Sequence, residues 1–180
     1  MTTVRGTGAL VAVLAALGGY LVLVERPRAS VQPAAPAPLL AEPASAVARL
    51  EVGDGERQIV VLRRGDAWAD PDGRACDGAA DLVDALRALR PLSVVDAAPL
   101  APDDYGLGAG ARHLRLVATD GRPLLSLDVG NRNPAWTALY VRRDGAPEVL
   151  LVGAQLAWEL DKLDNATLNA RNRLTRGRDR

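Results

Sequence analysis

The chain has 180 residues, with 22 basic side chains balanced by 22 acidic ones, one histidine, one cysteine and no phenylalanine. A net charge of zero excludes binding to nucleic acid through bulk basicity, and a lone cysteine excludes an intramolecular disulfide framework or a thiolate-rich zinc site. Apolar and charged contents of 48% and 24% are those of folded protein.

Behind a short tail, residues 1–6, residues 7–24 run for eighteen positions without a charge. As a helix rising about 1.5 Å per residue they would extend roughly 27 Å, close to a hydrocarbon core of about 30 Å. A cleaved signal peptide is the competing reading, with Arg5 as its positive region. Its apolar stretch normally ends after about 7–15 residues at a small-x-small site. Here the run continues through Tyr20 and Leu21 to Glu25, and Ala44-Ser45-Ala46 comes far too late. The pattern favours an uncleaved signal anchor touching membrane lipid through residues 7–24. Arg5 on one side and Arg26 with Arg28 on the other leave its orientation unsettled by charge. A short tail ahead of a long domain favours a domain outside the cytoplasm.

Residues 25–46 form a linker: Pro27, Pro33, Pro36, Pro38 and Pro43 punctuate an Ala-rich stretch. Proline fixes φ and removes donors, which predicts extended chain there. The globular part is placed at residues 47–163. Strands are predicted at 47–52 and 58–63 around Gly53-Asp54-Gly55, with a short one near Trp68. A helix follows at 78–90, with Leu82, Val83, Leu86 and Leu89 on one face, Asp77 as its cap and Pro91 as its stop. Further strands are predicted at 92–96, 114–119, 124–129, 138–143 and 149–152, then a second helix at 154–163. Eight short strands and two helices indicate an antiparallel-rich α+β domain with a single core. Residues 164–180 are polar, with Arg171, Arg173, Arg176, Arg178 and Arg180, and read as a solvated, disordered tail.

The chain offers little to assemble into a catalytic, metal or cofactor site. Residues 106–111 fit G-x-G-x-x-A, but a dinucleotide cradle needs a strand before the glycines and a helix after them. Here a Pro/Asp turn precedes and a strand follows. Asp70, Asp72, Asp77 and Asp81 form the densest carboxylate cluster, yet Arg74 and Cys76 occupy inner positions of any calcium loop. Asp103 and Asp104 read as a turn, His113 as a partly exposed strand residue and Cys76 as an inert buried thiol. The expectation is no catalytic residue, no metal, no cofactor and no enzymatic activity.

Trp68, the helix before Pro91, Tyr105-Gly106-Leu107, the strand ending at Gly130, and Tyr140-Val141 before Asp144-Gly145 occur in an order that resembles the bacterial domain of unknown function 4340. Trp136 lies in the same stretch. The resemblance covers roughly residues 47–163 and departs from the usual pattern where Gly108-Ala109-Gly110-Ala111 replaces a proline after the Tyr-Gly-Leu turn. It implies a single-pass protein of the bacterial inner membrane with a periplasmic domain. It also implies a non-enzymatic accessory or scaffold role beside integral membrane subunits of an ABC-type transport or envelope system. Trp68, Tyr105, Gly106, Leu107, Gly130 and Tyr140 are the motif residues it marks, and Trp136 joins them as an interaction residue. The alternative is a tethered sensor domain that binds a ligand or peptide at exposed strand edges or in a groove near Tyr105 and Trp136.

Overall fold

A computed structural model describes residues 36–178. The hydrophobic run at 7–24, most of the linker and the last two residues lie outside the described residues. Among the described residues no helix is long and apolar enough to cross a membrane. The elements are β1 (Val47–Gly53), β2 (Gln58–Arg64), β3 (Ala67–Ala69), α1 (Ala79–Ala88), β4 (Ser93–Asp96), β5 (Arg112–Ala118), β6 (Pro123–Arg132), β7 (Ala138–Arg143), β8 (Val149–Gly153) and α2 (Gln155–Arg178). This is an antiparallel α+β domain with two helices and one eight-stranded sheet, in the order β3-β2-β1-β5-β6-β7-β8-β4.

Local chemistry sets the hairpins. At the β1–β2 turn, Asp54 Oδ1 accepts the N–H groups of Arg57 (2.9 Å) and Glu56 (3.2 Å). Those bonds, the Arg57 one foremost, hold the Asp54 carboxyl below the usual carboxylate range. The first strands of the β1–β2 and β5–β6 hairpins then pair with each other, with Leu50 opposite Leu116 and Val52 opposite Leu114.

Period-two alternation gives the sheet one apolar face. Leu50, Val61, Leu114, Leu116, Leu127, Val141 and Val152 are buried there, in one cluster with Leu82, Val83 and Leu86 of α1 and Leu156, Leu160 and Leu163 of α2. Each such leucine contributes about 1.5–3 kcal/mol of transfer free energy. The two helices pack on each other, and Lys162 of α2 donates to Asp81 of α1 at 2.8 Å. In the strands of that face, the alternate residues Glu51, Arg115, Ser126, Asp128 and Arg142 turn the other way, to the second face of the sheet.

Besides shifts of one to three residues at strand ends, four boundaries differ from the sequence expectation. The linker does not reach residue 46: Leu39 and Leu40 are buried in the core. Their N–H groups donate to Leu89 O (2.9 Å) and Leu86 O (3.1 Å), carbonyls that the end of a helix leaves without intrahelical partners. The domain therefore starts before Val47. Second, α1 is not capped by Asp77; Gly78, at φ 96°, occupies the cap position with no side-chain bond. Third, the chain has left the helix by Leu89 (ψ 132°), two residues ahead of Pro91. Fourth, residues 164–178 are not a disordered tail but the continuation of α2. Nothing between Gln155 and Arg176 breaks a helix, and Ala166, Leu168 and Ala170 favour one. Asp164 also accepts from Arg112 at 2.6 Å, and the Thr167 hydroxyl donates to Leu163 O at 2.8 Å.

Candidate functional site

Five of the seven marked residues meet at one place. The loop between β4 and β5 crosses the second face of the sheet and is fastened there by a 3-10 turn, Pro102–Tyr105. Gly106 ends that turn at φ 71°, a left-handed conformation that glycine adopts without strain. A Cβ at Gly106 would also lie 2.6 Å from the Asn131 side chain. Tyr105 packs edge-on against Tyr140 of β7, ring centroids 5.1 Å apart, and its hydroxyl donates to Asp96 Oδ2 at 3.2 Å. Burial, and then the Asp96 carboxylate, push the Tyr105 hydroxyl above the ordinary tyrosine value. Leu107 is buried, and Gly130 of β6 lies directly beneath the Tyr105 carbonyl and the Leu107 side chain. The Tyr-Gly-Leu motif is thus a clasp that needs a left-handed glycine above and a side-chain-free residue below.

The other two marked residues stand apart. Trp68 is buried in the core. Trp136, 71% exposed, sits at the β6–β7 turn with φ 60°, and the Arg132 guanidinium lies 5.6 Å from its ring centre. Asn133 fixes this turn by accepting the N–H groups of Thr137 (2.9 Å) and Ala138 (3.0 Å) on its side-chain oxygen. Trp136 shares a depression with Leu139, Ala157, Leu160 and Asp161 on the helix side. Tyr105 packs on Tyr140, which alternates with Leu139 to the opposite face. The depression lined by Trp136 does not include Tyr105.

A model of the family described as Domain of unknown function (DUF4340) matches residues 77–171, just over half of the chain. The chain belongs to this family. The match runs from the approach to α1 into α2, so it takes in the whole clasp, whereas β1, β2, β3 and Trp68 precede it. The family region is shorter at its start than the resemblance suggested. No curated protein and no solved structure matches the chain.

Among the described residues a polar chain of this DUF4340 domain adjoins the clasp. Arg142 donates to Leu107 O (3.3 Å) and to Asp128 Oδ2 (2.7 Å), while Asp128 Oδ1 meets His113 Nδ1 at 2.6 Å. These residues face one another on neighbouring strands, His113 opposite Asp128 and Asp128 opposite Arg142. The pairing of β5, β6 and β7 creates the chain, which spacing within any one strand does not reveal. His113 and Asp128 line an open depression of about 660 Å³ with Glu51, Arg57, Arg115 and Ser126. The bond at Nδ1 orients the imidazole and leaves Nε2 to exchange protons or hydrogen bonds with a bound group. Nucleophilic catalysis would further require a hydroxyl within hydrogen-bond reach of that nitrogen; the hydrogen bond recorded for the His113 ring is the one to Asp128.

The remaining candidates are spread out. Asp72 lines a different depression, with Arg74, Cys76 and Thr167, and Asp104 lines neither. Asp70 and Asp72 both pair with Arg74, while Asp81 belongs to the α1–α2 contact. Burial opposes the charge on Asp70, but the Arg74 N–H (2.8 Å) and guanidinium (3.0 Å) outweigh it and hold this carboxyl below its usual range. Among the described residues no group of three His, Cys, Asp or Glu side chains is placed to hold a metal. Burial pushes the Cys76 thiol up, only partly offset by Thr167 Oγ1 at 3.9 Å. The glycines of the G-x-G-x-x-A stretch lead into β5 rather than into a helix.

Proposed function

We propose that this DUF4340 protein is a membrane-anchored, non-enzymatic accessory or scaffold subunit, with its domain on the periplasmic side of a bacterial inner membrane. It would serve an ABC-type transport or envelope system. The observation that carries this reading is the eighteen-residue uncharged run at 7–24 ahead of a proline-rich segment and a family domain. With Leu39 already in the core, a tether of residues 25–38 would reach at most about 40 Å from the bilayer at about 3.1 Å per residue. Purification of the full chain from detergent extracts tests it. The expected result is stoichiometric recovery of an integral membrane permease; recovery free of any other membrane protein under every extraction condition contradicts the proposal. The alternative of a ligand-sensing domain is favoured by one feature, the open depression around His113, Arg57 and Arg115.

A further inference from the structure

The second face of the sheet carries cations that the fold leaves unused. Arg115 lies mid-way along β5, opposite Glu51 of β1 and Ser126 of β6. Glu51 nevertheless pairs with Arg49, at 2.7 Å. Asp128, on the same face, is taken by Arg142 (2.7 Å) and by His113 Nδ1 (2.6 Å). Among the described residues neither Arg115 nor Arg57 forms an ion pair, and both line the depression of about 660 Å³. His113 stands two residues before Arg115, about 7 Å away along the strand, and its side chain is 60% exposed. Its neighbour on β1 is Gly53, which has no side chain to cover the imidazole. A Cβ there would lie 2.8 Å from Arg57 O, so the missing side chain also lets the β1–β2 turn close in. Ser126 is half-buried, and its hydroxyl makes no hydrogen bond among the described residues.

We propose that this depression binds a small molecule through a singly charged carboxylate, held by Arg115, His113 Nε2 and the Ser126 hydroxyl, with Arg57 closing it from the β1–β2 turn. The planar guanidinium fork of an arginine matches a carboxylate, two N–H groups to two oxygens. Asp128 at Nδ1 and a carboxylate at Nε2 both favour the doubly protonated imidazole. Binding therefore draws a proton from solvent onto Nε2, which donates it to the ligand as a hydrogen bond. Glu56 and Asp144, exposed acids of the β1–β2 and β7–β8 turns, line the same depression. Their charges oppose a phosphate group, with about −1.5 to −2 charges at pH 7, more than a single carboxylate. The volume falls within the range of about 300–1,000 Å³ typical of small-molecule sites, which leaves room for the rest of a ligand beyond its carboxylate. The proposal rests on the ligand-sensing reading of this depression and not on the membrane placement.

His113 is the only histidine of the chain, so its imidazole gives a single NMR signal in the full chain, purified in detergent with a tag free of histidine. Acetate is the probe, added at about pH 6.5, where a free imidazole is half protonated. The expected result is a shift of that signal toward the protonated position that saturates at about 1–30 mM, with sodium chloride of equal ionic strength leaving it in place. Arg115→Gln should weaken acetate binding by about tenfold or more and leave thermal unfolding unchanged, because Arg115 is exposed and unpaired among the described residues. Arg122→Gln, in the β5–β6 turn, should bind as the parent does. Inorganic phosphate should bind several-fold more weakly than acetate. A response that does not saturate, an equal response to chloride, phosphate binding as tight as that of acetate, or an affinity indifferent to Arg115→Gln would each overturn the proposal. Methylammonium moving the signal where acetate does not would also overturn it while keeping the depression as a ligand site; a signal moved by neither would remove the ligand-sensing reading as well.

Discussion

Gly130 has no room for a side chain: a Cβ there would run into the Tyr105 carbonyl oxygen and lie 3.1 Å from Leu107. Gly130→Ala must lift the clasp from the sheet, and overpacking of this kind costs about 1–3 kcal/mol. Leu107→Ala removes a buried side chain and is expected to cost about 2–5 kcal/mol. Urea unfolding of the two variants measures both. Tyr105 adds a pH signature. Its folded-state value lies above the ordinary tyrosine value because burial and Asp96 disfavour the phenolate. The stability tied to the neutral hydroxyl is therefore complete below about pH 10 and lost as pH rises through the folded-state value. Tyr105→Phe, which cannot ionise, should flatten that alkaline loss in a series of thermal melts across pH 9–12 (from about one unit below the free value to about two above it). An unchanged alkaline slope would show that Tyr105 does not titrate in this window.

At the scale of elements, the strands were legible because alternation and Asp-Gly turns are short-range signals. Asp54-Gly55, Asp120-Gly121 and Asp144-Gly145 each mark a connection between neighbouring strands. Three features were not legible, each for a tertiary reason. Leu39 and Leu40 are an isolated apolar pair among prolines, and burial in the core together with the open carbonyls of α1 gives them a place. The helical continuation past Leu163 rests on contacts that α2 makes through Asp164 and Thr167 rather than on a repeating apolar stripe. The His113–Asp128–Arg142 chain exists only through strand register. The first of these is directly testable. Leu40→Ala in the full chain should destabilise the domain by about 2–5 kcal/mol, as for any fully buried leucine. A passive linker would give a change within about 0.5 kcal/mol.

For the molecule as a whole, the sheet divides two kinds of work. One face and both helices build the core, while the second face carries the clasp and, beside it, a polar depression. Tyr105, Gly106, Leu107 and Gly130, which carry the resemblance to the family, hold a loop in place. Identity in function rests instead on what precedes the domain, an apolar run and a proline-rich segment. The most direct measurement is protease treatment of intact spheroplasts, with the domain followed by an antibody to its C-terminus and the N-terminal fragment by a tag on Met1. An anchored periplasmic domain predicts that the C-terminal signal is lost while a short tagged fragment stays with the membranes. Full protection of the domain, or its release as free protein before any protease is added, would contradict the account.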